Sequence, residues 1–126
     1  MTFVAPFNAS DDDTTIIKEL FDTIGSTIRT DEQHLAAGMI LASCGTAFAM
    51  RYIRASVEGG VELGFRAAEA THIVAQTVKG AAGGHPEAEI DKVTTAGGIT
   101  IKGLNAMEQA GFTGAVIQGL KVAAGK

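Results

Sequence analysis

The sequence holds a single cysteine, Cys44, so no disulfide can form within the chain, and the disulfide-stapled class of small secreted domains is excluded. Basic residues are few and scattered: ten Lys and Arg against fourteen Asp and Glu give a net charge of -4. No Lys/Arg cluster stands out, so the electrostatic footprint of a nucleic-acid binder is missing and nucleic acid is not expected as a partner. Residues 1 to 15 lack the charged start and long apolar run of a signal peptide, which together with the lone thiol predicts a cytoplasmic protein. The closest approach to a membrane span, Leu35 to Met50, has sixteen residues without a charge. That is short of the roughly 18 to 20 needed to cross a bilayer, and no membrane partner is expected.

Chemical signatures are missing too. There is no G-x-G-x-x-G after a strand and no phosphate loop ending in Gly-Lys-Ser/Thr, so a nucleotide cannot be held by those means. His34, His72 and His85 lie far apart, with no cysteine or carboxylate at ligand spacing, and no metal is expected. Cys44 sits in the most apolar stretch without a basic neighbour, where a thiol behaves as a small inert hydrophobe. Aromatic residues make up only 6% of the 126, whereas 16 Gly and 21 Ala together exceed a quarter. A chain of this length can form one globular core, but residues this small bury little apolar area each, so a lone domain would have a thin core. The composition therefore points to a second copy. Leu35 to Met50, apolar on every face, needs partners all round in the same way.

Along the chain, Thr2 to Ala5 is a short β-type run ended by Pro6, and Asn8, Ser10 and Asp11 to Asp13 make an acidic helix start. Ile16, Ile17, Leu20, Phe21 and Ile24 recur at helical spacing, and Gly25 is expected to end that helix in the left-handed conformation. Ser26 to Arg29 reads as extended. Residues 1–30 thus form a strand-helix-strand segment, and residues 31–126 a helical domain. With Asp31 as N-cap, the spacing predicts helices over Glu32 to Ser43, Thr46 to Leu63 and Ala67 to Ala82. A turn at Gly83 to Pro86 then opens a short helix to Val93. Thr94 to Gly98 is a loop, and the last helices run from Thr100 to Ala110 and Thr113 to Ala123, parted by Gly111. The fold class is mainly α.

One stretch is suited to a ligand: Val93-Thr-Thr-Ala-Gly-Gly-Ile-Thr-Ile101. Two glycines beside hydroxyl residues at a helix start can turn several backbone N–H groups toward one point, a geometry fit for a carboxylate. The same residues also suit a plain loop with Thr95 or Thr100 as an N-cap.

Three blocks of this sequence resemble the pyrroline-5-carboxylate reductase family. Val93 to Glu108 is similar to the family's V-T/S-S-P-G-G-x-T block and the helix that follows it. Ala110 to Ile117 resembles its G-G-F-R-x-A-V/L-I, and Ala75 to Ala82 its A-Q-T-V-x-G-A-A. Ala96 stands where the family has proline. Ala42-Ser-Cys-Gly-Thr-Ala-Phe48 replaces its S-G-S-G-P-A-Y/F, and the chain is shorter between Ala82 and His85. The resemblance implies a helical dimerisation domain of the 6-phosphogluconate dehydrogenase C-terminal-like type, preceded by the last strand, helix and strand of a nucleotide-binding domain. It implies the homodimerising, substrate-binding half of an enzyme that reduces 1-pyrroline-5-carboxylate to proline with NADPH or NADH held elsewhere, no cofactor being expected on this chain alone. In that reading Thr95, Gly97, Gly98, Ile99 and Thr100 hold the imino acid or proline, Thr100 lies beside the ring nitrogen as the positioning group, and Val93 touches the cofactor. The alternative is a non-catalytic helical dimerisation module, or a diverged relative without proline chemistry.

Overall fold

The computed structural model describes residues 1–126. Strands β1 (Thr2–Val4) and β2 (Thr27–Arg29) pair in parallel, Thr2 opposite Thr27 and Val4 opposite Arg29. Parallel neighbours need a crossover, and helix α1 (Asp11–Asp22) supplies it. Ser10 caps α1: its hydroxyl oxygen accepts the Asp13 amide at 3.1 Å, while the Asp13 carboxylate accepts the Ser10 amide at 3.1 Å and the Ser10 hydroxyl at 2.6 Å. The bond from the Ser10 hydroxyl, then the one from its amide, holds the Asp13 carboxyl below its ordinary pKa.

Gly25 does not end α1. The helix closes at Asp22 because the Thr23 hydroxyl donates to the Leu20 carbonyl at 2.7 Å and the Thr23 amide bonds the same oxygen at 3.3 Å. Gly25 is not left-handed. The Asp22 carboxylate then accepts the Thr27 amide at 2.8 Å and pairs with Lys18, which orders the start of β2. Those partners, Lys18 first and then Thr27, lower the Asp22 pKa.

The apolar stretch also departs from expectation. It lies within one continuous helix, Glu32–Glu62, rather than two helices parted near Gly45. A 3-10 turn over Glu32–His34 leads into α2 (Leu35–Met39), which widens to a π turn over Ile40–Cys44 and continues as α3 (Gly45–Glu62). Asp31 has the extended backbone of an N-cap, but its side chain caps nothing and faces His34 Nδ1 at 3.7 Å. The helix survives Gly45 because that residue keeps an amide, which reaches back to the Ile40 carbonyl. An interior glycine costs only about 1 kcal/mol relative to alanine, whereas a proline would remove the bond. The continuous helix has 31 residues and an 18-residue window of mean hydropathy 1.3, so by length and composition it is long and apolar enough to cross a membrane. The charge-free run therefore underestimated its length. Arg51, Arg54, Glu58 and Glu62 occupy the C-terminal part of the helix.

By packing the chain forms two compact units, Met1–Thr46 with Leu120–Lys126, and Ala47–Gly119. The strand-helix-strand segment lies within the first. The second contains most of α3, then α4 (Ala67–Ala81), α5 (Pro86–Val93), α6 (Ile99–Gln109) and the start of α7 (Phe112–Ala123). Glycines do mark these breaks: Gly64, at φ 99°, follows α3, and Gly111, at φ 82°, parts α6 from α7. The α3 and α4 backbones approach closely at Gly60, where a Cβ would lie 3.0 Å from that of Ala70.

The core is as thin as the composition suggests. Ile40 and Ala70 are the only buried hydrophobic residues, while Leu41 is 62% and Leu63 83% exposed.

Candidate functional site

The loop between α5 and α6 is an ordered turn. Thr94 closes α5 through its amide, which bonds the Asp91 carbonyl at 3.3 Å, and its hydroxyl, which bonds the Ile90 carbonyl at 2.7 Å. The Gly98 amide then donates to the Thr95 carbonyl at 3.0 Å, closing a four-residue turn with Ala96 and Gly97 at its centre. Gly97 is left-handed at φ 71° and Ala96 is not, the pattern of a type II turn, in which glycine is favoured at the third position.

Gly98 is required for a different reason. Its backbone, φ -68° and ψ 174°, is open to any residue, but a Cβ there would lie 2.5 Å from Thr95 Oγ1 and 3.1 Å from the Thr95 carbonyl oxygen. Gly98 is also the N-cap of α6, with no side-chain cap, so neither Thr95 nor Thr100 fills that role. Ile99, Thr100 and Ile101 are the first residues of the helix, and their amides have no acceptor four residues back within it. The partial positive charge of a helix N-terminus gathers at such amides. Thr100 is half-buried and its hydroxyl is engaged by no other group, whereas Ile99 is 89% exposed. The Lys92 ammonium pairs with Glu89 at 2.6 Å, while Lys102, the fourth residue of α6, makes no ion pair.

The structure thus brings Thr95, Gly97, Gly98, Ile99 and Thr100 into one turn at the start of α6. Val93, the last residue of α5, is 64% exposed just before it. The arrangement offers N–H donors and the unengaged hydroxyls of Thr95 and Thr100 to a small anion.

Sequence reasoning missed a second feature of the same unit. Phe48, Tyr52, Met107, Phe112 and Val116 line an apolar groove of about 490 Å³ between α3 and the α6–α7 pair. Tyr52 and Phe112 meet edge to face, with ring centroids 6.2 Å apart. Phe48 and Tyr52, like Phe112 and Val116, are spaced i, i+4, a signal lost when the apolar stretch is read only as far as Met50. Between α6 and α7, the Thr113 hydroxyl donates to the Glu108 carboxylate at 2.6 Å and the Gly111 amide to the Glu108 carbonyl at 2.8 Å. Glu108 thereby fixes the bend from α6 to α7.

The family model described as pyrroline-5-carboxylate reductase dimerisation matches residues 32–126. The chain belongs to the pyrroline-5-carboxylate reductase family. Two reductases of Dictyostelium discoideum are among its relatives: pyrroline-5-carboxylate reductase 1, 45% identical over 94% of this chain, and reductase 2, 44% identical over 88%. The chain spans only 22% and 39% of their respective lengths. Solved structures share the fold. A pyrroline-5-carboxylate reductase of Coxiella burnetii superposes with a TM-score of 0.87 at 23% identity, covering 96% of this chain and 47% of its own. A pyrroline carboxylate reductase of Plasmodium falciparum with NADP bound gives 0.79 at 23% identity, covering 94% of this chain and 47% of its own. Helices α2 to α7 all fall in the matched dimerisation domain of the reductase family, and the apolar groove and the turn before α6 lie within it.

Proposed function

We propose that this chain is the dimerisation and substrate-carboxylate-binding part of an enzyme that reduces 1-pyrroline-5-carboxylate to proline with NADPH or NADH. The observation that carries this reading is the turn before α6, set in a dimerisation domain of the reductase family. Its donors face outward from a helix start, where a carboxylate gains most from them. The amides of Ile99 and Thr100 take the substrate carboxylate, and the Thr100 hydroxyl accepts the N–H of the protonated ring imine. Holding the imino acid at both ends orients its C=N bond, and alignment is the main thing a hydride acceptor needs from its protein.

The residues present do not fit a dinucleotide. The strand-to-helix turn of the β-α-β unit opens α1 on Asp11, Asp12 and Asp13, placing negative charge where a pyrophosphate would have to sit, and Ser10 and Asp13 already close the cap on each other. The grip on the cofactor belongs to residues outside these 126, with Val93 reaching it from the end of α5. NADP in the Plasmodium relative supports a nicotinamide cofactor for the whole enzyme. The partner is a second copy. With Ile40 and Ala70 the only buried hydrophobic side chains, the helices need a second copy to cover their apolar faces.

The test is NADPH oxidation with pyrroline-5-carboxylate. Residues 1–126 alone should show no turnover, and the longer enzyme that includes them should be active. Thr100→Ala in that enzyme should lower kcat/KM by about 1 to 3 kcal/mol of transition-state binding, with the fold unchanged. Turnover by the 126-residue chain, or an unaltered kcat/KM in Thr100→Ala, refutes the proposal.

A further inference from the structure

We infer that α3 is the seat of the second copy and packs antiparallel on the partner's α3, with Arg51 of each chain against Glu62 of the partner subunit and Leu63 of each in the other's apolar groove. The inference rests on the dimer of the reading above and gives it a surface and a register. Phe48, Arg51, Tyr52, Ala55, Gly59 and Leu63 recur every three or four positions and share one face of the helix. Leu63 follows α3 but keeps its helical bond, the amide donating to the Gly59 carbonyl at 3.0 Å. Two grooves open along that face, and Ser56 lines both. One is the groove of Phe48, Tyr52 and Phe112. The other, of about 650 Å³, lies between α3 and α4 and is lined by Gly59, Leu63, Phe65 and Ile73. Both belong to the unit Ala47–Gly119. Of the seven aromatic residues in the chain, Phe48, Tyr52, Phe65 and Phe112 line these grooves, and aromatic side chains, Met and Arg are what interface cores collect.

Three observations make a second copy the occupant. The first is continuity, since α3 and both grooves fall in the matched dimerisation domain. The second is charge. Arg29, Arg54 and Arg66 each hold a carboxylate of their own chain, whereas Arg51 on the first groove and Glu62 on the second have no ion pair. They are eleven residues apart, so on a helix they lie within about 20° of each other, at the two ends of one edge of the face. A two-fold axis across the helix beside Ser56 sets each against its opposite in the partner, twice over. The third is fit. The same register brings the partner's Leu63 level with the gap between Phe48 and Tyr52, and Leu63 is 83% exposed in its own chain. It also brings the partner's Phe48 and Tyr52 over the small end of α3. Gly60 there is accounted for by Ala70, but nothing in the chain lies within 4 Å of where a Cβ on Gly59 would sit. Glycine is a poor residue for a helix interior, and at Gly59 the space it leaves is the partner's.

The experiment uses the longer enzyme that includes this chain, in a Cys44→Ser background, and reads assembly rather than turnover. The two positions are about 16 Å apart along one helix. A bismaleimide too short to span that distance should link Arg51→Cys/Glu62→Cys into covalent dimers, seen as a doubled mass under denaturing conditions, and should link neither single cysteine variant. Arg51→Glu should weaken the dimer about 10-fold or more, because like charges then meet twice, and Arg51→Glu/Glu62→Arg should restore it. Gly59→Leu, which meets nothing within its own chain, should shift light scattering from dimer to monomer. Linkage by either single variant, no linkage in the double one, or wild-type dimer affinity in both Arg51→Glu and Gly59→Leu overturns the inference. If Arg51→Glu or Gly59→Leu does not fold, the linkage result decides, since it leaves the grooves unaltered. A wild-type enzyme that is dimeric and linked as expected but does not reduce pyrroline-5-carboxylate overturns the reductase reading and leaves the interface standing. A monomeric wild-type enzyme overturns the interface.

Discussion

Gly98→Ala is the sharpest test of the turn before α6, because its effect follows from three distances. The new methyl would meet Thr95 Oγ1 at 2.5 Å, the Thr95 carbonyl oxygen at 3.1 Å and its carbon at 3.7 Å. The hydroxyl can rotate away about χ1, at a cost on the order of 0.5 to 1.5 kcal/mol if it leaves its rotamer well. The carbonyl cannot, since it holds the Gly98 amide at 3.0 Å and closes the turn. Alanine is also a weaker N-cap than glycine. Backbone strain adds nothing, because φ at Gly98 is -68°. Together these costs come to about 1 to 3 kcal/mol. Denaturant unfolding at fixed protein concentration measures it, and Thr95→Ala/Gly98→Ala should regain the hydroxyl part but not the carbonyl part. Gly97 separates the two mechanisms: at φ 71° its alanine variant suffers from backbone conformation, and asparagine should be tolerated better than alanine. Gly98→Ala with an unchanged midpoint, or a Thr95→Ala partner that recovers nothing, would refute the steric account.

Three further outcomes follow from the structure. Ala96 holds the second position of the turn with an amide that closes no bond, so Ala96→Pro should stabilise by about 0.4 to 1 kcal/mol, read as a raised denaturation midpoint; a lowered midpoint contradicts the type II geometry. Because Ile40 and Ala70 alone are buried among the hydrophobic residues, melting temperature should rise with protein concentration and light scattering should give a dimer mass. A monomer with a concentration-independent melt would leave the apolar helix unexplained. Asp22, whose folded pKa is depressed below its ordinary 3.8 by Lys18 and Thr27, stabilises the β-α-β unit above that value. The contribution is lost as pH falls from about 3.8 through the lower folded value, so Asp22→Asn should flatten the acid limb of a melting-temperature profile, and an unchanged limb speaks against it.

Much of the architecture was readable from local chemistry. Ser10 and the aspartates behind it announced α1, Pro86 opened α5, and Gly97 and Gly98 lay in the turn that they suggested. Each is a case where one side chain, or the lack of one, governs the backbone within four residues, and such effects are printed in the order of the residues. The expectations that failed turned on bonds that compete. Gly25 was outdone by the Thr23 hydroxyl, and Gly45 kept a helix bond that proline would have removed.

By itself the sequence determined that the chain is a helical domain behind a short strand-helix-strand, poor in core-forming bulk and carrying a glycine turn before its last two helices. Those properties depend on composition and on spacings of a few residues. Only the tertiary structure decided that Phe3 seats on Gly38, that Gly60 admits Ala70, that Phe48 and Tyr52 share a groove with Phe112, and that Gly98 is needed for space rather than for conformation. These are contacts of atoms that the folded backbone brings together. No spacing along the chain encodes that an atom of the Phe3 ring lies about 3.0 Å from where a Cβ on Gly38, thirty-five residues away, would sit.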